Sequence, residues 1–160
     1  MTDLTAAFAA SDQPSASFDA LARLVEETVG ARLFTLLEID HARGVARRSY
    51  SNMPEAYPVS GEKEIELNRW SETVSGRHET FVANSIEEIA EVFPDHALIQ
   101  SLGCESCINV PVVVGGRVIG TLNCLHAAGH YTPEKVAAAE TLKLPGAAAF
   151  LLAASIEKGA

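Results

Sequence analysis

Apolar residues recur at helical spacing from Phe18 through Leu21, Leu24, Val25 and Val29, separated by polar positions. Ser15 or Ser17 offers a cap for this helix, and Gly30 sits where it would stop. The period then shortens. Residues 33–39 read as a buried strand, and 40–44 carry turn residues ending in Gly44. Residues 45–51 read as the returning strand, polar enough to be solvated on one face or to lie at a sheet edge.

Pro54 and Pro58 mark an irregular stretch. Leu67, Trp70 and Val74 then fall at i, i+3 and i+7, which predicts a short helix ended by Gly76. Residues 80–83 predict a short strand. Ser85 caps a helical turn through Ile86, Ile89 and Val92, and Pro94 opens another that Gly103 stops. Next come two β-branched runs, 107–114 and 117–125, joined by Gly115-Gly116, a two-residue hairpin signal. Thr132-Pro133-Glu134 starts an Ala-rich helix through 154, which Pro145-Gly146 must kink or split. Residues 1–16 read as a flexible arm and 17–156 as one domain. The element order predicts an α+β fold with an antiparallel sheet.

Composition narrows the function classes. The chain has 160 residues, 12 basic and 21 acidic, for a net charge of −9. Such a chain repels phosphate backbones and anionic lipid, and its longest basic run is Arg47-Arg48, so neither nucleic acid nor a membrane is an expected partner. No apolar run approaches the ~20 residues that span a bilayer. The acidic start and three cysteines place the chain in the cytoplasm by expectation.

The segment from Val110-Pro111 through Gly115-Gly116 to Gly120-Thr121-Leu122 resembles the terminal hairpin of GAF domains, and the upstream elements follow the same plan. The resemblance covers residues 17–154. It implies a GAF/PAS-like central antiparallel sheet flanked by helices, with the N- and C-terminal helices on one face and a small-molecule pocket on the other. It also implies a homodimer through those terminal helices. GAF domains bind cyclic nucleotides, tetrapyrroles, small metabolites or metals, so fold alone names no cofactor.

Candidate chemistry gathers at the hairpin. With a two-residue turn, Val114 faces Arg117; counting outward then puts Cys107 opposite Cys124 and Glu105 opposite His126. In that register Cys104, Cys107, Cys124 and His126 meet at the open end of the hairpin. Three readings follow: small buried hydrophobes, a redox-sensitive thiol pair, or a metal site with soft ligands. A one-residue slip in register dissolves the cluster. No catalytic constellation stands out. Free methionine-R-sulfoxide reductases are stand-alone GAF domains that use thiol chemistry, but their nucleophile aligns near Gln100, their carboxylate at Cys107 and their Asp-x-Asp at Asn123 and Leu125. The Cys-His pair of bilin-binding GAF domains and the Asn-Lys-x-x-x-Phe-Asp type motif of phosphodiesterase GAF domains are missing from the sequence.

The reading carried forward is a small-ligand-binding or sensory domain for an unidentified molecule. Its expected ligand-binding residues are Trp70, Cys107, Asn109, Leu122, Cys124 and His126, with a lid from the Trp70 helix and the segment 93–104. The alternative is a thiol enzyme of the sulfoxide-reductase kind, or a redox- or metal-sensing module using Cys104, Cys107 and Cys124. Ile108, Val110, Val112, Ile119 and Thr121 are assigned to the opposite face, where Asn123 is a polar residue without explanation.

Overall fold

The computed structural model describes residues 1–159. Strands β1 (Leu33–Asp40), β2 (Val45–Ser51), β3 (Glu62–Glu64), β4 (Phe81–Ala83), β5 (Ser106–Val114) and β6 (Arg117–His126) form one sheet in the order β3-β2-β1-β6-β5-β4. Every neighbouring pair is antiparallel. The α+β architecture expected from the element order is the one observed.

Helices cover one face. Helix α2 (Ser15–Thr28) lays Phe18, Leu21 and Val25 on the sheet, where they meet Phe34, Leu36, Ile108, Val110 and Leu122. Helices α6 (Pro133–Ala139) and α7 (Lys143–Gly159) add Ala139, Leu142, Ala149 and Phe150 to the same core. A Cβ at Gly146 would lie 2.9 Å from Leu122 and 3.2 Å from Val112, so the glycine lets α7 sit directly on β5 and β6. The break in the last helix comes just before Pro145. Residues Glu140–Leu142 tighten into a 3₁₀ turn and α7 restarts at Lys143. Pro145 then lies in the first turn of α7, where its missing N–H costs nothing.

Pro133–Gly159 contains an 18-residue window of mean hydropathy 1.4, enough to cross a membrane by length and composition alone. Its apolar side packs on the sheet through Gly146, Ala149, Phe150 and Ala153.

At the other end, the segment read as a flexible arm contains helix α1 (Leu4–Ala9), capped by Asp3 and packed on the helical core through Phe8. Gln13 holds α1 to α2: its amide donates to the carbonyls of Ala7 and Ala10, and its Oε1 accepts from the Ser17 N–H.

The opposite face carries short elements: α3 (Arg69–Ser71) running into a π-helical turn at Glu72–Gly76, α4 (Ile86–Ala90) and α5 (His96–Ser101). Asn68 caps α3 and places Leu67 outside it, 98% exposed, so Leu67 is not on the apolar stripe that its spacing suggested. Ser85 caps α4 as expected. The edge strand β3 has no apolar residue and forms through backbone pairing with β2, so no hydrophobic pattern announces it.

The β5–β6 hairpin turns at Gly115 and Gly116, with φ of 60° and 76°, both required positive by a tight two-residue turn. The expected register holds for only two pairs, Val114 with Arg117 and Val113 with Val118. A bulge then inserts Ile119, so Val112 faces Gly120 and every later pair is displaced by one. Cys107 therefore faces Leu125, Cys124 faces Ile108, and His126 faces Ser106. Beside the bulge, Gly120 is closely packed: a Cβ there would lie 2.6 Å from the Leu37 carbonyl of the neighbouring strand and 2.6 Å from the Phe150 ring of α7.

A second bulge lies in β2, where Leu36 faces Tyr50 but Leu37 faces Arg48. Ser49 is the extra residue. Tyr50 thus packs near Phe34 and Phe18 on the helical face, while Arg48 turns to the other.

Candidate functional site

The two bulges decide which side chains meet under the short elements. A cavity of about 410 Å³ lies there, within the range of small-molecule sites. Its floor comes from four strands: Ala46 and Arg48 of β2, Leu33, Thr35 and Leu37 of β1, Asn123 and Leu125 of β6, and Cys107 and Asn109 of β5. Lys63 and Glu64 of β3 edge the floor, and the roof is Tyr57, Ile65, Glu66, Asn68, Trp70, 92–95 and Ile99.

Across the middle of the floor runs a buried polar strip. The Asn109 amide donates to Asn123 Oδ1 at 2.7 Å, and the Thr121 hydroxyl donates to the same oxygen at 3.0 Å. Asn123 in turn donates to the Thr35 hydroxyl at 3.2 Å. Asn123 is thereby saturated, and its side chain is fixed in one orientation. Asn109 is not: its Oδ1 meets only the Cys107 thiol at 4.0 Å, and one of its amide hydrogens is uncommitted. The polar residue that was unexplained in the straight register is the anchor of this strip.

At the β2 side, the Arg48 guanidinium stacks 4.9 Å from the Tyr57 ring centre and donates to the Pro58 carbonyl at 3.0 Å. Burial pulls the Arg48 pKa below its ordinary value, though arginine remains charged at any ordinary pH. The Tyr57 hydroxyl donates to the Asp95 carboxylate. Burial first, and that bond second, push the Tyr57 phenol upward. Among the described residues, Arg48 Nε and Trp70 Nε1 are shut from solvent and have no partner.

Of the expected ligand-binding residues, Trp70, Cys107 and Asn109 line the cavity. Leu122 and Cys124 do not: the Ile119 bulge turns both into the helical core. His126 lies at the end of β6, with its ring stacked 3.6 Å from that of His130. Cys104 is buried beneath α5, apart from the cavity lining. Of the expected lid, Trp70 and residues 93–95 and 99 line the cavity.

The thiol cluster does not form as counted. Cys107 and Cys124 point to opposite faces of the sheet, so the facing redox pair is corrected by the register. All three cysteines are free and buried. Burial pushes the Cys107 thiol up to about 12 and raises Cys104 and Cys124 as well, so each is held as the unreactive thiol rather than the thiolate. Among the described residues, no group of three or more His, Cys, Asp or Glu is placed to hold a metal ion.

Arg48, Tyr57, Thr35, Asn123 and Leu125 were missed as site residues. Arg48, Asn123 and Leu125 depend on a bulge and Tyr57 on a loop folding back, which periodicity does not carry. One signal was present: Arg48, Tyr50 and Ala46 cannot share a face sensibly in an unbroken strand.

A single antiparallel sheet, helices on one face and a roofed cavity on the other define the α+β architecture of the chain. A family model described as GAF domain matches residues 13–149. The chain belongs to the GAF domain family, a family of sensory and ligand-binding domains.

Solved structures agree on the fold. The GAF domain of an Acinetobacter phosphoenolpyruvate-protein phosphotransferase superposes with a TM-score of 0.72 at 15% identity, covering 97% of this chain and 92% of that one. The GAF domain of a Geobacter sulfurreducens GAF domain/HD domain protein gives 0.67 at 14%, with 88% and 92% covered. The GAF domain of a Coxiella burnetii phosphoenolpyruvate-protein phosphotransferase gives 0.65 at 20%, with 96% and 88% covered. Comparison with curated proteins gave no match.

Proposed function

We propose that this domain binds a small organic molecule in the cavity between the sheet and the Trp70–Ile99 roof, and that it reports occupancy rather than catalysing a reaction. One observation carries the reading: the sheet face opposite the helices is left open as a cavity of about 410 Å³, and one amide hydrogen of Asn109 on its floor has no partner. A buried donor left unpaired costs about 1–3 kcal/mol, a cost that a guest with suitable acceptors removes. The thiol-enzyme alternative has no such support, because the thiols are buried and protonated.

The signal has a natural exit through the terminal helices. Leu144 and Leu151 of α7 are exposed at 79% and 50%, on the side of the helix turned from the sheet. They suit pairing with a second copy, which would make the domain a homodimer. Cytoplasmic residence fits free cysteines and the acidic surface.

Native mass spectrometry of the protein isolated without denaturation tests the reading. A retained species should leave on unfolding and be missing from Ala46→Phe, which puts a ring into the cavity from the floor. Wild-type protein whose native mass equals its sequence mass, with no excess that is lost on unfolding, would contradict it, as would the same excess mass retained by Ala46→Phe.

A further inference from the structure

The floor of the cavity is nearly shut from solvent. Leu33, Thr35, Cys107, Asn109 and Asn123 line it, and each is 5% exposed or less. A guest that reaches them has to displace part of the surround.

That surround is unequally anchored. Val92 and Ile99 of the roof belong to the buried apolar cluster on this face, Phe93 meets Phe81 edge-on, and Tyr57 is tied to Asp95. Trp70 is fixed by the capping box at Asn68 on one side and by the buried Val74 on the other. Residues 61–67 differ. None of them is buried, and Ile65 alone is half-buried. They run along the β2 edge of the cavity, where residues 63–66 line it. Their hold on β2 is three facing pairs, a bond from the Arg48 N–H to the Gly61 carbonyl at 3.2 Å and one from the Ile65 N–H to the Gly44 carbonyl at 3.1 Å. On the outside there is one ion pair, Arg43 to Glu62 at 2.8 Å, exposed on both partners. An exposed pair adds little, and a segment without buried apolar anchors is among the first to open.

The ends of this segment are defined. Ser60 sits at φ 75°, a left-handed conformation that non-glycine residues adopt at a cost, and its N–H donates to the Arg48 carbonyl at 2.8 Å. Gly61 follows it as a flexible joint. Asn68 closes the other end, where its side chain caps α3.

Resting on the ligand-binding reading above, we propose that residues 61–67 are a strap that peels from β2 between Ser60 and Asn68 and admits the guest to the floor, while the rest of the roof stays in place.

Cys107 reports on this opening, because it lines the floor whereas Cys104 lies beneath α5 and Cys124 lies in the helical core. Methyl methanethiosulfonate, a small neutral thiol reagent, is added to the full chain at about pH 8 and each cysteine is followed by peptide mass. Strap opening should modify Cys107 at least about tenfold faster than Cys124, whereas global unfolding modifies all three together. The double substitution Val45→Cys and Glu64→Cys places two thiols at a facing pair, where a disulfide fastens the strap to β2. In the oxidised variant the Cys107 rate should fall to that of Cys124, and reduction followed by removal of the reductant should restore it. A second measurement needs no variant. In native-state hydrogen exchange the Arg48 and Ile65 amides, which donate to Gly61 and Gly44, should be at least about a hundredfold less protected than the Leu122 amide of the central strand β6. The proposal is overturned if Cys107 is modified no faster than Cys124, if the disulfide leaves its rate unchanged, or if those two amides are protected as well as that of Leu122. Any of these results would leave the cavity reading standing, and the retained guest sought by native mass spectrometry decides that reading by itself.

Discussion

Asn123 illustrates how one side chain organises its surroundings. It accepts from Asn109 and Thr121 and donates to Thr35, tying β5, β6 and β1 together beneath the cavity while only 4% exposed. Asn123→Leu leaves three buried polar partners unmatched. We expect it to destabilise the fold by about 2–4 kcal/mol, read as a lower urea midpoint with an unchanged slope. Gly120 is sensitive for a different reason. Its would-be Cβ meets a backbone carbonyl, which cannot swing aside as a flexible side chain can. Gly120→Ala should cost roughly 1–3 kcal/mol through overpacking, measured the same way.

At the scale of elements, the hairpin shows what sequence can and cannot carry. Its existence, its glycine turn and its strand limits were legible, because β-branched runs around Gly115-Gly116 have one reading. The bulge at Ile119 was not, because no turn residue or break in the β-branched pattern marks it, and the close packing of Gly120 on Leu37 and Phe150 beside it involves residues far away in the chain. That one insertion moved Leu122 and Cys124 to the helices and brought Asn123 and Leu125 to the cavity. Strand β3 stayed hidden because charged residues pair through backbone alone, and Arg48 because the Ser49 bulge turns it. The register is testable by cross-linking. Leu125→Cys should close a disulfide to Cys107 under mild oxidant, because the two positions face each other. The native Cys107 and Cys124 should stay unlinked under the same conditions, by thiol counting after denaturation. A Cys107–Cys124 bridge would refute the displaced register.

For the whole molecule, the two faces of the sheet divide the work. The helical face is filled by large apolar side chains and glycine contacts, while the other is left open around a polar strip. Buried thiols and phenols on both sides hold their protons more tightly than in the unfolded chain: Cys104, Cys107, Cys124, Tyr50, Tyr57 and Tyr131 all shift upward, chiefly through burial. Raised values mean that the native state binds more protons at alkaline pH. Stability from these groups is complete below the unfolded values of 9.0 and 10.0 and is lost as pH rises above them. Urea unfolding under reducing conditions should show stability level from pH 7 to about 8.5 and falling steadily from about pH 9 to 11.

The cavity is the feature on which the functional account turns, and nuclear magnetic resonance of the labelled protein reports on it residue by residue. The side-chain amides of Asn109 and Asn123 and the indole N–H of Trp70 each give a resolved signal inside the cavity, while backbone amides of Ala139 and Leu142 report on the helical face. With a small-fragment library added, the account predicts that the fragments that bind concentrate their shifts on the first three and leave the last two unmoved. Shifts confined to Ala139 and Leu142, or an unchanged spectrum with every member of the library, would contradict it.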